Sequence, residues 1–138
     1  AAADVTVSTN FVPDFMRPDY AFFTNAKRFD EAAAYPCPLI LTSNLRADKD
    51  AAVVNYDRLS ATDAQGGNSV LMLLRQCGAA GVLLAGADGY RTGTAAYADA
   101  GLHTHTGRGA AYNAQMAGAI RAAGLPVRFI TPSEYERA

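Results

Sequence analysis

The sequence predicts an α/β fold built on a mainly parallel sheet of about six strands. Six short apolar runs recur along the chain, most of them continuous rather than alternating, which is the pattern of strands buried on both faces. In the C-terminal half two of these runs alternate with two helical segments, the order expected of right-handed βαβ units. Several runs close on a Ser/Thr-Asn pair: Thr9-Asn10, Thr24-Asn25 and Ser43-Asn44.

The first run, residues 5–9, is β-branched and ends at Asn10. The second, residues 20–24, ends at Asn25, and residues 26–34 suit a short helix. The third, residues 39–42, ends at Ser43-Asn44; the fourth, residues 52–54, runs into Asn55-Tyr56. Pro13, Pro18, Pro36 and Pro38 punctuate the connections between them. A helix is expected from Asn68-Ser69, either of which can cap free N–H groups, to about Cys77. Its apolar residues Val70, Leu71, Leu74 and Cys77 recur at three- and four-residue steps, and Gly78 and Gly81 break it. The strand at residues 82–85 follows and ends in Gly86-Ala87-Asp88-Gly89-Tyr90. A second helix is expected from Gly109 or Ala110 to Ala123, with Tyr112, Met116, Ala119, Ile120 and Ala123 inward. Gly124 stops it, Pro126 leads into the last strand at residues 127–131, and Pro132 ends that strand.

At 138 residues the chain has the length of one domain. Half of it is hydrophobic and 18% is charged, an ordinary globular composition. A net charge of -1 with scattered Lys and Arg gives no reason to expect nucleic acid or an anionic membrane as partner. No apolar stretch approaches the roughly 20 residues of a membrane span, and no secretion signal is visible, so a cytoplasmic location is expected. Cys37 and Cys77 read as packed thiols, one disulfide being the alternative, and no zinc signature occurs. Residues 1–4 hold no turn or helix start that would open a self-contained fold, so the chain reads as a piece of something longer.

Ligands of parallel sheets bind beyond the carboxyl ends of the strands, where the polar pairs fall. Asn offers an acceptor and a donor on a short stalk, suited to base edges, sugar hydroxyls or phosphate oxygens; it also serves as a plain strand-end cap. After the fifth run, glycines permit close backbone approach, and Asp88 can orient a neighbour or hold a substrate hydroxyl. The segment matches neither a dinucleotide fingerprint nor a P-loop. The only histidines, His103 and His105, sit in a Thr-rich stretch ahead of the second helix. Either can act as a general base or stand as an exposed loop residue; as metal ligands they lack nearby carboxylates other than Asp99. Both helix starts favour a bound anion. Tyr20, Phe22, Phe23 and Phe29 read as core rather than as a base-stacking platform.

In order along the chain, Thr9-Asn10-Phe11, Phe23-Thr24-Asn25, the start at Asn68-Ser69-Val70-Leu71-Met72, the Gly86-to-Tyr90 segment, Tyr97 and His105-Thr106 resemble the small bacterial lipooligosaccharide sialyltransferases. That resemblance implies that Asn10 and Asn25 contact a cytidine nucleotide or its sugar, with Ser69 nearby. It implies that Tyr90 and Tyr97 hydrogen-bond the leaving phosphate and that His105 deprotonates an acceptor hydroxyl, His103 being less well placed. It implies no metal and no other cofactor. The sequence departs from that pattern in four places. No Gly-Asn-Gly-type loop precedes Asp4, and Tyr97 lies one residue further from Tyr90 than expected. His-Thr replaces His-Ser, and Gly89 stands where an aromatic is expected.

Ser43-Asn44-Leu45, Asn55-Tyr56 and residues 85–90 look closer to bacterial proteins described as 4-hydroxy-2-oxovalerate aldolases or similar lyases, found with surface-polysaccharide genes. These join an aldolase-type barrel to a C-terminal sialyltransferase-like domain. The resemblance implies that residues 1–138 are one Rossmann-like domain, a three-layer sandwich cut from such a parent, with the barrel's metal site and lyase chemistry outside it. The expected function is binding of a nucleotide-sugar or sugar phosphate, with Asn44 and Asp88 among the binding residues and His105 catalytic. A non-catalytic module that docks or dimerises the parent enzyme is the alternative. On either reading the fragment alone is expected to be inactive.

Overall fold

The computed structural model describes residues 3–31, 37–42, 45, 53–56, 66–90 and 109–137. They gather into two compact units, Ala1–Met72 and Leu73–Ala138.

The first unit contains β1 (Val7–Thr9), β2 (Tyr20–Phe23), α1 (Ala26–Glu31), β3 (Leu39–Thr42), β4 (Val53–Tyr56) and the start of α2 (Gly66–Gln76). Its strands form one sheet in the order β1-β2-β3-β4, every pair parallel, with Val7 opposite Tyr20, Ala21 opposite Leu39, and Leu39 opposite Val53. Because side chains alternate across a strand, Ala21, Phe23, Leu39 and Leu41 share one face. There they form a core with Phe29 of α1, Cys37, Leu45 and, from the β1–β2 connection, Val12. Connections packed on one face are what right-handed crossovers produce when the strand order never reverses. On the opposite face Phe22 and Thr42 are fully buried and Ile40 nearly so. Burial on both faces is the physical reason these runs are continuous rather than alternating.

The aromatics Phe22, Phe23 and Phe29 are core, as the sequence predicts, whereas Tyr20 is exposed at the start of β2. It pairs with Val7 at the outer end of the edge strand, where little covers it. At that end Thr6 N–H and Thr6 Oγ1 each donate to Asp19 Oδ2 at 2.7 Å, and Asp19 N–H donates to Thr6 O at 3.0 Å. These bonds, the Thr6 hydroxyl's first, hold the Asp19 carboxyl below its ordinary value of 3.8. A carboxyl lowered by folding stabilises the fold above its unfolded value, and that contribution is lost as pH falls through the lower folded value. Thermal melts from about pH 6 to about pH 2 are expected to show a wild-type acid limb that is shallower in Asp19→Ala. Parallel acid limbs would rule the clamp out.

The second unit contains β5 (Val82–Leu84), α3 (Gly109–Ala123), β6 (Val127–Phe129) and a 3-10 turn over Glu134–Arg137. β5 and β6 pair in parallel, Val82 opposite Val127 and Leu84 opposite Phe129. α2 closes in this unit with a Schellman motif. Gly78 takes φ +76°, its N–H bonds Arg75 O at 3.0 Å, and Ala79 N–H bonds Leu74 O at 3.0 Å. Gly124, at φ +62°, ends α3. Arg75 Nη1 donates to Ala122 O at 2.7 Å, tying the two helix ends together. Met116, Ala117 and Ala123 are the buried residues of α3.

All six predicted strands are present, but the described residues pair them in two sheets, of four and of two, rather than one sheet of six. All three predicted helices are present, α2 opening two residues before the expected Asn68. Both cysteines are free. Cys37 is packed, and burial pushes its thiol up. Cys77 is exposed rather than packed, because it lies past the last helical residue, where the Gly78 turn swings the chain off the apolar face. No described helix is long and apolar enough to cross a membrane.

Candidate functional site

In the first unit the ends of β1 and β2 are joined by one side chain. Asn10 takes a left-handed backbone, φ +53°, the only positive φ among the described non-glycine residues. Asn tolerates that conformation better than most residues. Asn10 Oδ1 accepts Thr24 N–H at 2.8 Å and Asn25 N–H at 3.2 Å, while Asn10 Nδ2 donates to Thr24 Oγ1 at 3.1 Å. Its own N–H donates to Phe22 O at 2.8 Å. Asn10 therefore completes the backbone hydrogen bonding beyond the end of the ladder. Asn25 in turn caps α1, its Oδ1 accepting Arg28 N–H at 3.4 Å, and it is exposed. Thr42, at the end of β3, is fully buried and donates to Phe23 O at 3.4 Å. Asn44, the next predicted member of the row, lies outside the described residues. Ser69 is fully buried one turn inside α2 rather than at its cap.

In the second unit the loop after β5 is held on three sides. Thr131, just past β6, accepts Gly86 N–H at 2.9 Å and donates to Asp88 Oδ1 at 3.0 Å. Ser133 Oγ donates to Ala87 O at 2.6 Å, and Glu134 N–H donates to Asp88 O at 2.9 Å. From α3, Asn113 accepts Tyr90 N–H and donates to Tyr90 O, each at 2.9 Å. The Tyr90 ring lies on Tyr112 with centroids 5.6 Å apart. Gly86 and Gly89 take φ +67° and +85°, which turns the chain between these anchors. Asp88 is exposed, so its carboxylate can accept from a ligand hydroxyl while Thr131 orients it.

Asp88 and Tyr90 are thus brought to one strand end, beside the start of α3. Tyr97, His103 and His105 lie outside the described residues. Asn113, Thr131, Ser133 and Tyr135 complete the loop's support and were not singled out from the sequence. Thr131 could have been found, since it closes an apolar run as Thr9 and Thr24 do. Asn113 carried no such signal, being one polar residue among alanines in a helix. Among the described residues no group of three or more His, Cys, Asp or Glu could hold a metal. An open groove of about 510 Å³ runs along Ile120, Leu125, Val127, Arg128, Phe129 and Tyr135, none of them a predicted site residue.

No family model, no curated protein and no solved structure matches the chain.

Proposed function

We propose that the chain is a glycosyltransferase-like domain that binds a nucleotide-sugar or sugar phosphate, its strands belonging to one Rossmann-like three-layer sandwich. The observation that carries this reading is the braced loop after β5, where an exposed Asp88 and a half-buried Tyr90 stand at the carboxyl end of a parallel strand. Tyr90 and Tyr97 hold the phosphate, Asp88 takes a sugar hydroxyl, and His105 accepts the proton of an acceptor hydroxyl. Asn25 and Asn44 contribute to nucleotide binding, and Asn10 does so chiefly by holding Thr24 and Asn25 in place. The segments Ser43-Asn44-Leu45, Asn55-Tyr56 and residues 85–90 support a parent with an aldolase-type lyase barrel, cytoplasmic and acting in surface-polysaccharide metabolism.

A docking or dimerisation module is the second reading, and one observation favours it. Of the six exposed large hydrophobic residues among the described ones, five fall in or beside the edge strand β1 and its connection to β2: Val5, Phe11, Phe15, Met16 and Tyr20. Phe15 is 80% exposed.

Calorimetric titration of the full-length parent with CMP, CDP and a CMP-sugar tests the first reading, with saturable binding expected. Silence in all three, together with self-association that is lost in Phe15→Ser, would favour docking instead. Given binding, His105→Ala is expected to lower transfer by about 10²- to 10⁴-fold with nucleotide affinity nearly unchanged. A fall in affinity alone would sink the general-base role.

A further inference from the structure

We propose that Asn113 is the positioning residue that aims Tyr90 at the phosphate; this rests on the nucleotide-binding reading above. Tyr90 follows a left-handed Gly89, the residue type whose backbone is least restricted. Asn113 fixes the backbone just beyond that glycine. Its half-buried amide bonds both the N–H and the C=O of Tyr90 at 2.9 Å, pinning the peptide groups on either side of that one Cα. Asp could not donate to the carbonyl, and Ser is too short to reach both groups at once. Tyr135 OH, from the C-terminal 3-10 turn, also donates to Asn113 Oδ1 at 3.4 Å, which helps to fix the amide's orientation.

The same helix face sets where the ring can lie. Asn113 is one turn beyond Gly109, so the two positions stack on α3. A Cβ on Gly109 would come within 2.7 Å of Tyr90 Cβ, so Gly109 leaves a notch into which Tyr90 fits. Notch and clamp together bring Tyr90 to the first turn of α3, the helix end whose dipole favours an anion. Asn113 itself need not touch the ligand. Its effect passes through Tyr90.

A double-mutant cycle read by calorimetric titration with CMP tests this. Tyr90→Phe is expected to weaken CMP binding about tenfold, the loss of one hydrogen bond to a charged group. Asn113→Ala is expected to weaken it comparably, yet to add less than about twofold in the Tyr90→Phe background. Alanine favours the helix more than asparagine does, so α3 should persist, as circular dichroism can check. Asn113→Ser is a milder variant expected to follow the same non-additive pattern. Unchanged affinity in Asn113→Ala, or a loss repeated in full without the Tyr90 hydroxyl, would overturn the positioning role alone. Absence of CMP binding, or indifference to Tyr90→Phe, would overturn the phosphate reading and this inference with it.

Discussion

Phe23→Ala is expected to lower stability by about 3–5 kcal/mol in urea denaturation, the cost of emptying a well-packed aromatic site. Phe23 has no exposed surface and lies on β2, an interior strand with a neighbour on each side. Its ring meets Phe29 of α1 edge-on, centroids 5.7 Å apart at 68°, and the cluster around it includes Leu39 and Leu41 of β3. Truncation thus removes the contact that fastens α1 to the sheet as well as buried area. Against a total of about 5–15 kcal/mol for an ordinary domain, a loss of that size brings the fold close to its limit. Phe23→Leu keeps most of the volume and is expected to cost less than about 1.5 kcal/mol. A loss below about 1 kcal/mol for the alanine variant would mean that Phe23 is not the centre of this core.

Asn10→Ala is expected to cost about 2–3 kcal/mol, for two reasons that a second substitution separates. Alanine must hold the left-handed φ of +53° at a cost of about 1 kcal/mol, and it leaves Thr24 N–H and Asn25 N–H without their protein acceptor. Asn10→Gly removes the strain and keeps the loss of hydrogen bonds, so it should be more stable than the alanine variant by about 1 kcal/mol. Equal destabilisation would show that side-chain bonding alone decides the position. If Asn10 also supports a ligand site, Asn10→Gly should weaken CMP binding beyond what its change in stability explains.

The placement of strands and helices follows from local chemistry. A β-branched or aromatic run buried on two faces has to be apolar at every position, so residues 39–42 read as a strand wherever they pack. Gly78 and Gly124 end helices because a left-handed residue there is nearly free of cost only for glycine, a property of that residue alone. The Ser/Thr-Asn pairs were legible for the same reason, since short polar side chains beyond a strand end are there to complete backbone hydrogen bonds or to meet a ligand. Their division of labour was not legible. Asn10 and Asn25 are the same residue type after the same kind of run, yet one braces a neighbouring strand and the other caps a helix. That difference depends on what lies 14 and 15 residues away in sequence and about 3 Å away in space.

Long-range contact likewise decided which residues support the loop after β5. Asn113 meets Tyr90 across 23 residues, and Thr131 meets Asp88 across 43. No periodicity or propensity records such a meeting, because a side chain's hydrogen-bond partner is set by packing and not by its neighbours along the chain. Cys77 shows the same limit from the other side: its spacing is that of the helix's apolar residues, but the helix has ended one residue earlier and Cys77 stands exposed in the turn that follows. The elements and their polar ends were therefore fixed by residue type and spacing, through backbone conformational preference and the periodicity of burial. Which polar end holds which backbone, and which tyrosine is held at the start of α3, was decided only by the tertiary structure, through contacts between segments far apart in the chain.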